Sequence, residues 1–235
     1  LLDIFLANYG PNGIRRNING RNFNNVITAL GLRIDNSYDC FSWGDYDNNG
    51  RLDLYVNGTI TGGNSYEDYL FHNDASGFTN ITPKIIKDND GDHGAHWVDF
   101  DQDGDLDLAL TGASSDGMHH LLRNEIAEEL AQQSLQVVVL DGNGHYTRSG
   151  SEVRLYKAGT KQLLGMNIID TGSGYNSQNA MPVHFGLRGI NSVDVKVTVM
   201  TNAGRKSVLL NDVDPKKYSG RHLIVKINAA GVRVN

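Results

Sequence analysis

Short runs in which apolar and polar residues alternate fill the first half of the chain, and clusters of Gly, Asn and Asp separate them. The runs Leu52–Val56 and Leu106–Leu110 read LDLYV and LDLAL, which is the length and alternation of single strands rather than of a helix. This pattern predicts short β-strands joined by tight turns.

A longer motif that contains these runs occurs twice. It reads WGDYDNNGRLDLYV at Trp43–Val56 and WVDFDQDGDLDLAL at Trp97–Leu110, so the two copies start 54 residues apart. Units of about 50 residues made of several short strands are typical of propeller blades and related repeat arrays. We therefore predict propeller-type repeat blades in this half of the chain, and we expect Trp43 and Trp97 to be core residues.

A shorter element that ends in Asn follows each copy, LFHN at Asn73 and LLRN at Asn124. The opening stretch LLDIFLANYG aligns with the end of the motif and places Asp3 at the position of Asp53, and IRRN supplies the matching Asn17. The chain thus holds two complete units and one truncated unit. Because so few blades cannot close a ring, we expect further blades upstream, or another chain that covers the open blade edges.

The pattern changes after residue 124. The segment EIAEELAQQS predicts a short helical linker over residues 125–133, because its apolar residues recur at intervals of four. Residues 134–235 return to strand-length runs separated by turns such as DGNG and RGIN, which predicts an antiparallel β-sandwich-like domain of about seven strands. We therefore predict an all-β protein, with repeat blades in residues 1–124 followed by this domain.

The loop inside each motif is rich in aspartate. Side chains that carry oxygen stand at loop positions 1, 3, 5 and 9, Gly stands at position 6, and position 7 offers its backbone carbonyl. This spacing suits Ca²⁺, which takes roughly six to eight oxygen ligands from a loop that can wrap around it. We predict two Ca²⁺ sites, the first formed by Asp45, Asp47, Asn49, Arg51 and Asp53 and the second by Asp99, Asp101, Asp103, Asp105 and Asp107.

The loops have two other possible interpretations, an EF-hand and a bare turn. An EF-hand needs a Glu at position 12, where this chain has Val56 and Leu110, and its flanks are helices, so the EF-hand is rejected. A bare turn of Asp, Asn and Gly is the remaining alternative. The crowded carboxylates of the second loop would repel one another without a cation, which favours metal binding. We expect the second loop to bind Ca²⁺ more tightly, because Asn49 replaces a charged ligand in the first.

The aspartate loops resemble those of the FG-GAP and VCBS repeat families, the calcium-binding blades of integrin-type β-propellers. Four later segments resemble, in order, the ASPIC/UnbV domain: SGSEVRLY at Ser149–Tyr156, GSGYNSQ at Gly172–Gln178, VHFGL at Val183–Leu187 and VDVKVTVMTNAGR at Val193–Arg205. Together they resemble the cartilage acidic protein family and its bacterial relatives. The chain departs from that family at Met200–Gly204, where a Trp-Pro-Asp-Gly-like turn is usual. The resemblance implies a secreted matrix, adhesion or surface protein with cations on one rim of the blades.

The overall composition restricts the classes of partner that we expect for this protein. The 235 residues carry a formal charge of −6 and scattered Lys and Arg, which argues against nucleic acid as a partner. No run approaches the roughly 18 apolar residues of a membrane span, so none is predicted. Cys40 is the one cysteine of the sequence, and we expect it to be a small buried apolar residue.

Other residues with potential chemistry are weaker candidates. His93 and His96 have His-x-x-His spacing but no third ligand, so we expect ordinary loop and strand histidines. The acidic residues of KDNDGDHG, at 88–92, lack the Gly and the final Asp of the repeat loops, and a solvated loop is expected there. Asn57 and Asn80 each begin an N-glycosylation sequon.

These features predict a non-catalytic, extracellular or cell-surface module for adhesion, matrix or filament assembly, which presents a surface to an extracellular protein or a glycan. Its open blade edges would also allow a homopolymer to form by strand addition. A carbohydrate-active lyase or isomerase that carries calcium-binding repeats is the alternative, with polar residues of Ser173–Gln178 lining a pocket. A sugar-binding module is a third hypothesis. It needs exposed aromatic side chains, for which Tyr66 and Tyr69 are the nearby pair.

Overall fold

The structure is a computed structural model that describes residues 2–8, 10–28, 37–87, 93–111, 119–146, 148–170, 182–202, 204–228 and the backbone of 231–234. Most of the regular structure in these ranges is β-strand, so the predicted all-β class is confirmed. No helix in these ranges has the length and apolar character needed to cross a membrane.

The repeats form separate antiparallel sheets. The first sheet contains β1 (Ile4–Leu6), β2 (Gly13–Asn17) and β3 (Phe23–Asn25). The second contains β4 (Tyr38–Gly44), β5 (Asp53–Gly58), β8 (Tyr69–Asp74) and β9 (Gly77–Asn80). A separate small hairpin, β6 (Ile60–Thr61) and β7 (Asn64–Ser65), lies between β5 and β8 in the sequence. After the one-turn helix α1 (Lys84–Lys87), the third contains β10 (Gly94–Val98), β11 (Asp107–Thr111) and β12 (His120–Leu122). The hairpin β6–β7 and α1 were not predicted from the sequence.

The second sheet is packed between the other two through β5, whose six residues are all buried. Alternate side chains of a strand point to opposite faces. Leu54 joins a cluster with Ile14 of the first sheet, and Tyr55 joins another with Leu108 of the third sheet. Cys40 belongs to the latter cluster and is fully buried, as expected. Neighbouring repeats therefore share their hydrophobic cores, as stacked blades do.

One hydrogen-bond pattern recurs in every repeat and confirms their alignment. The aspartate carboxylate accepts a bond from the backbone N–H of the asparagine, and the asparagine amide donates to the carbonyl of the residue before the aspartate. The N–H bonds are 2.7 Å for Asp3 with Asn17, 2.7 Å for Asp53 with Asn73 and 2.8 Å for Asp107 with Asn124. The amide bonds end on Leu2, Leu52 and Leu106. The first unit therefore keeps the bond that holds the end of the motif.

The remaining elements follow a single helical turn, α2 (Glu128–Ala131), which lies inside the predicted linker but is shorter than it. Its first-turn residues Glu128 and Glu129 suit the helix N-terminus. The described residues that follow contain eight strands: β13 (Ser134–Asp141), β14 (Glu152–Lys157), β15 (Leu163–Ile168), β16 (Val183–Gly186), β17 (Val193–Thr201), β18 (Gly204–Val213), β19 (Leu223–Asn228) and β20 (Gly231–Val234). A 3-10 turn at Pro215–Tyr218 precedes β19.

These strands form two four-stranded sheets, ordered β16-β13-β19-β20 and β15-β14-β17-β18. Both sheets contribute to one apolar core that includes Val137, Val153, Val195 and Val225. Nearly all neighbours are antiparallel, as predicted, but β13 and β19 are parallel, because a long connection through the other sheet separates them. The boundaries at residues 124 and 133 stay predictions.

Candidate metal centre

Each aspartate loop joins two paired strands at the same place in its repeat. Gly44 pairs with Asp53 across β4 and β5, and Val98 pairs with Asp107 across β10 and β11. The loop therefore begins directly after the first strand and ends on the first residue of the second. Both loops lie at the same end of their hairpins, as the repeat predicts.

The loop backbones turn in the same way. The fourth residue of each has a positive φ, 57° at Asn48 and 62° at Gln102. The sixth residue is Gly50 with φ 86° or Gly104 with φ 104°, a region in which a side chain would be strained. Glycine at the sixth position therefore allows the backbone of both loops to bend there.

Carboxylates at the loop ends hold these turns by accepting backbone N–H bonds. Asp45 accepts from Asn49 at 2.9 Å and from Gly50 at 2.8 Å, and Asp99 accepts from Gly104 at 3.1 Å. The position-9 carboxylates accept from the second loop residue, Tyr46 to Asp53 at 3.2 Å and Phe100 to Asp107 at 3.1 Å. The two loops therefore share one hydrogen-bond scheme.

Several of the predicted ligands converge. In the second loop, one oxygen from each of Asp99, Asp101 and Asp107 lies within 4.8 Å of the others. In the first loop, oxygens of Asp47 and Asp53 form such a group with a ring nitrogen of His72. Asp45 and Asp103 belong to neither group, and the side chains of Asn49 and Asp103 accept N–H bonds from Arg51 and Asp105.

Burial makes these carboxylates hard to ionise. It is the main cause that raises the pKa of Asp45, Asp53 and Asp105 to about 7, with neighbouring aspartates adding to the shift. It also raises the pKa of Asp99 and of Asp107. At neutral pH the loops thus hold more negative charge than their protein surroundings stabilise, which is the condition a divalent cation relieves.

Asp105 is the loop carboxylate whose charge is least stabilised by its surroundings. Its side chain is fully buried, and neither carboxylate oxygen has a hydrogen-bond partner. Oδ1 of Asp99 is likewise buried and unpartnered. Buried polar atoms are normally satisfied, so unpartnered carboxylate oxygens beside other carboxylates would fit a hard cation. The sequence assigned only the backbone carbonyl to position 7, and the exposed side chain of Arg51 in the first loop agrees with that assignment.

Both loops also contact the C-terminal domain, which the sequence did not predict. Gln136 donates to Asp99, and the hydroxyl of Ser134 donates to the carbonyl of Gly104 at 2.7 Å. The guanidinium of Arg188 lies 3.4 Å from the carboxylate of Asp47. The aspartate loops are therefore part of the junction between the two halves of the chain.

Asn48 connects the parts of this junction. Its side chain is fully buried, and its amide donates to the carbonyls of Gly104, Leu130 and Ala131 at 3.2, 3.1 and 3.0 Å. Arg188 donates its backbone N–H to the carbonyl of Asn48 at 3.0 Å. One loop residue thus joins both loops, α2 and the turn that follows β16, and no sequence motif identified it.

A cleft of about 630 Å³ lies beside the loops, between the repeats and β15. Trp43 and Trp97 line it, together with His96, Asn167 and Asp170. The expectation that Trp43 is a core residue is wrong, because 38% of its surface is exposed. Trp97 is partly buried and stacks on Tyr46, with ring centroids 6.2 Å apart. An indole that is part of a cleft wall offers a flat surface for a ligand.

Other candidate residues have ordinary surroundings or lie outside the described ranges. His93 lies 2.6 Å from Asp39, and burial lowers the pKa of His96. Tyr66 and Tyr69 pack against the core and form no exposed pair. The segments 88–92 and 173–178 lie outside the described residues.

The two sequons differ in exposure. Asn57 is fully buried in β5, and its amide lies 3.4 Å from an oxygen of Asp68, whereas Asn80 is exposed at the end of β9. An N-linked glycan is bulky and requires a surface position. Asn57 is therefore excluded as a glycosylation site of the folded chain, and Asn80 is not.

Comparison with known protein families agrees with this architecture. The model of the FG-GAP-like repeat matches residues 1–56 and 59–110, and the model named ASPIC and UnbV matches residues 143–217. No curated protein matches the chain significantly. The matched segments cover the repeat sheets except the ends of β5 and β11 and all of β12, and they cover β14 to β18 of the two-sheet domain. The chain therefore contains FG-GAP-like repeats followed by an ASPIC and UnbV domain.

Proposed function

We propose that the chain is a calcium-binding module of a secreted or cell-surface protein, serving adhesion, matrix or filament assembly. FG-GAP repeats are typical of extracellular and surface proteins, which supports this location. The extracellular space is rich in Ca²⁺, so sites of modest affinity are filled there. In this proposal the ion holds the loops in shape, and the repeats and the C-terminal domain together present a binding surface.

The observation that carries the proposal is the second loop. Three of its carboxylates converge within 4.8 Å, and buried oxygens of Asp99 and Asp105 have no partner. Asp99, Asp101 and Asp107 would hold the ion with their side chains, and a backbone carbonyl at position 7 would add to them. Ca²⁺ supplies charge neutralisation there and favours such an all-oxygen set.

In the first loop, Asp47, Asn49 and Asp53 and the carbonyl of Arg51 offer oxygens. This set carries less charge than the second, because Asn49 stands where the second loop has Asp103. We therefore propose a weaker Ca²⁺ affinity for the first loop.

The test is thermal unfolding of the EDTA-treated protein with and without Ca²⁺. We expect Ca²⁺ to raise the melting temperature of the wild type and Asp101→Asn to lose most of that increment, because Asp101 is an exposed member of the converging group. Glu125→Gln removes the same charge from an exposed position outside the loops and is the matched control. An equal Ca²⁺ increment in both variants would contradict the proposal.

The cleft beside the loops is the surface that we propose for a glycan. Partly exposed indoles flanked by carboxylate, amide and imidazole groups suit a saccharide, which stacks its apolar face and hydrogen-bonds at its edge. We expect oligosaccharides to quench tryptophan fluorescence in the wild type and not in Trp43→Ala. Absence of any saccharide binding would contradict this part of the proposal. Conversion of the bound saccharide would instead favour the lyase or isomerase alternative.

A further inference from the structure

One position of the repeat differs chemically between the units. The residue before the recurring asparagine is Arg16 in the first unit, His72 in the second and Arg123 in the third. An imidazole nitrogen can bind a metal ion directly, whereas a guanidinium carries no free lone pair and cannot. The repeat thus contains its own comparison between a metal-binding and a non-binding side chain.

His72 faces the first aspartate loop. Its Nδ1 lies 3.2 Å from Oδ1 of Asp53 and belongs to the group with Asp47 and Asp53 whose members lie within 4.8 Å of one another. Asp53 is fully buried, and 24% of the His72 side chain is exposed. The imidazole therefore lies at the rim of the loop, with Nδ1 directed at its carboxylates.

Two protein groups compete for Nδ1, the carboxylate of Asp53 and the hydroxyl of Tyr46. The hydroxyl of Tyr46 lies 3.2 Å from the same nitrogen. If Nδ1 accepts the hydroxyl proton, its contact with Asp53 has no proton between nitrogen and oxygen. If Nδ1 donates to Asp53, the hydroxyl of Tyr46 faces an N–H instead of an acceptor. A cation bound to the Nδ1 lone pair would replace the contact with Asp53 by two metal–ligand bonds, and the hydroxyl of Tyr46 would then donate to another acceptor.

In the third unit, Arg123 stands at the position of His72. The Arg123 guanidinium lies 2.9 Å from Asp101 and 3.8 Å from Asp103, and 57% of its side chain is exposed. It places a positive charge outside the second loop and offers no ligand atom. The second loop therefore presents oxygens alone, and the first presents oxygens and one nitrogen.

We propose that, if the loops bind divalent cations as proposed above, the first loop prefers a first-row transition ion such as Mn²⁺ or Co²⁺, and His72 is one of its ligands. Imidazole favours these ions over Ca²⁺, which prefers oxygen. The lower carboxylate charge of the first loop, with Asn49 at position 5, further weakens its hold on Ca²⁺ relative to the second loop. The two loops then take different ions in one protein.

The test uses Mn²⁺ as the probe on EDTA-treated protein whose second loop has been filled with Ca²⁺. We expect pulsed electron paramagnetic resonance of bound Mn²⁺ to show coupling to a directly bound ¹⁴N. In His72→Gln the coupling should vanish and the Mn²⁺ affinity should fall by about tenfold or more, as expected for loss of one ligand. Binding of Ca²⁺ to the second loop should be unchanged.

His72→Arg is the matched variant, because it gives the second unit the residue that the third unit already has. It should also lose the nitrogen coupling. Mn²⁺ bound without nitrogen coupling in the wild type would overturn this inference and leave the calcium proposal intact. Failure of every cation to bind would instead overturn the proposed function on which the inference rests.

Discussion

Asp105 and Arg51 occupy the same loop position in two repeats, but their side chains have opposite surroundings. Arg51 is exposed, whereas Asp105 is fully buried among carboxylates and has no hydrogen-bond partner. A buried carboxylate of this kind destabilises the metal-free protein and is stabilised by a neighbouring cation. At the residue scale, the proposed function therefore predicts that the second loop lowers the stability of the metal-free protein and favours binding of a cation.

Replacement of this one carboxylate should therefore act in opposite directions with and without Ca²⁺. We expect Asp105→Asn to raise the melting temperature of the EDTA-treated protein by about 2–4 °C, the shift that roughly 1 kcal/mol produces in a chain of this size. The increment on adding Ca²⁺ should shrink. A variant that melts lower than the wild type in EDTA would contradict this prediction.

The raised carboxyl pKa values predict how stability depends on pH. A carboxyl whose pKa is higher in the folded state than in the unfolded state binds more protons when folded, so stability falls as pH rises between those values. For Asp45, Asp53 and Asp105 that interval runs from 3.8 to about 7. We expect the EDTA-treated protein to melt at a lower temperature at pH 7.5 than at pH 5.5. With saturating Ca²⁺ the protein should instead melt at a higher temperature at pH 7.5 than at pH 5.5, because protons then compete with the ion for the carboxylates. The same pH dependence with and without Ca²⁺ would contradict the assignment of these carboxylates to a metal site.

At the scale of elements, each loop is a hairpin connection whose shape depends on a left-handed fourth residue. Asn48 and Gln102 have the same backbone conformation, yet the side chain of Asn48 is buried and donates to three carbonyls, whereas Gln102 is exposed. The side chain at this position therefore belongs to a larger hydrogen-bond network in the first loop, whereas in the second loop it faces solvent.

Substitution by glycine separates these two roles, because glycine keeps the backbone conformation and removes the side chain. We expect Asn48→Gly to lower the free energy of unfolding by about 1–3 kcal/mol, since buried carbonyls lose their donor. Gln102→Gly should leave it unchanged or raise it slightly. Chemical denaturation of both variants in Ca²⁺ measures the difference, and equal effects would show that the Asn48 network contributes nothing.

The unpaired edges of the repeat sheets are a second feature at the scale of elements. Among the described strands, the first and third repeat sheets have three strands where the second has four. An unpaired edge can accept a strand from another molecule. We therefore expect concentration-dependent association in sedimentation velocity, weakened by Ile4→Lys in β1 and not by Ile18→Lys, which changes an equally exposed turn residue. A monomer at all concentrations would contradict homopolymer formation through these edges.

At the scale of the whole molecule, the loops join the repeats to the C-terminal domain. Gly186 shows how close this contact is, because a Cβ there would lie 2.1 Å from Oδ2 of Asp45 and 2.5 Å from Cα of Asn48. Binding of an ion that rigidifies the loops should therefore also stabilise the junction. The two halves should unfold together with Ca²⁺ and in separate transitions without it.

A single added methyl group tests this coupling. We expect Gly186→Ala to give two separate unfolding transitions in differential scanning calorimetry even with Ca²⁺, because backbone atoms of the first aspartate loop must move to admit the methyl group. Gly13→Ala, whose added Cβ would meet its nearest neighbour at 3.7 Å, is the control and should unfold like the wild type. One transition in both variants would show that the contact at Gly186 does not couple the halves.

The structural features that the sequence predicted are those encoded by local pattern. The alternation in β5 and β11, the recurrence of the Asp loops and the glycine bends identified the class, the repeats and the loops. The parts it did not predict depend on distant contacts. His72 lies 19 residues beyond Asp53, Gln136 comes from another domain, and Asn48 looks like an ordinary turn residue until its partners 56 to 83 residues away are known.

The central claim is that the second aspartate loop is a Ca²⁺ site, and isothermal titration of Ca²⁺ into EDTA-treated protein tests it most directly. We predict two binding events of micromolar to millimolar affinity, with the tighter event lost in Asp101→Asn and retained in Glu125→Gln. A wild-type titration without binding heat, together with an unchanged melting temperature, would contradict the claim and leave the loops as turns of Asp, Asn and Gly.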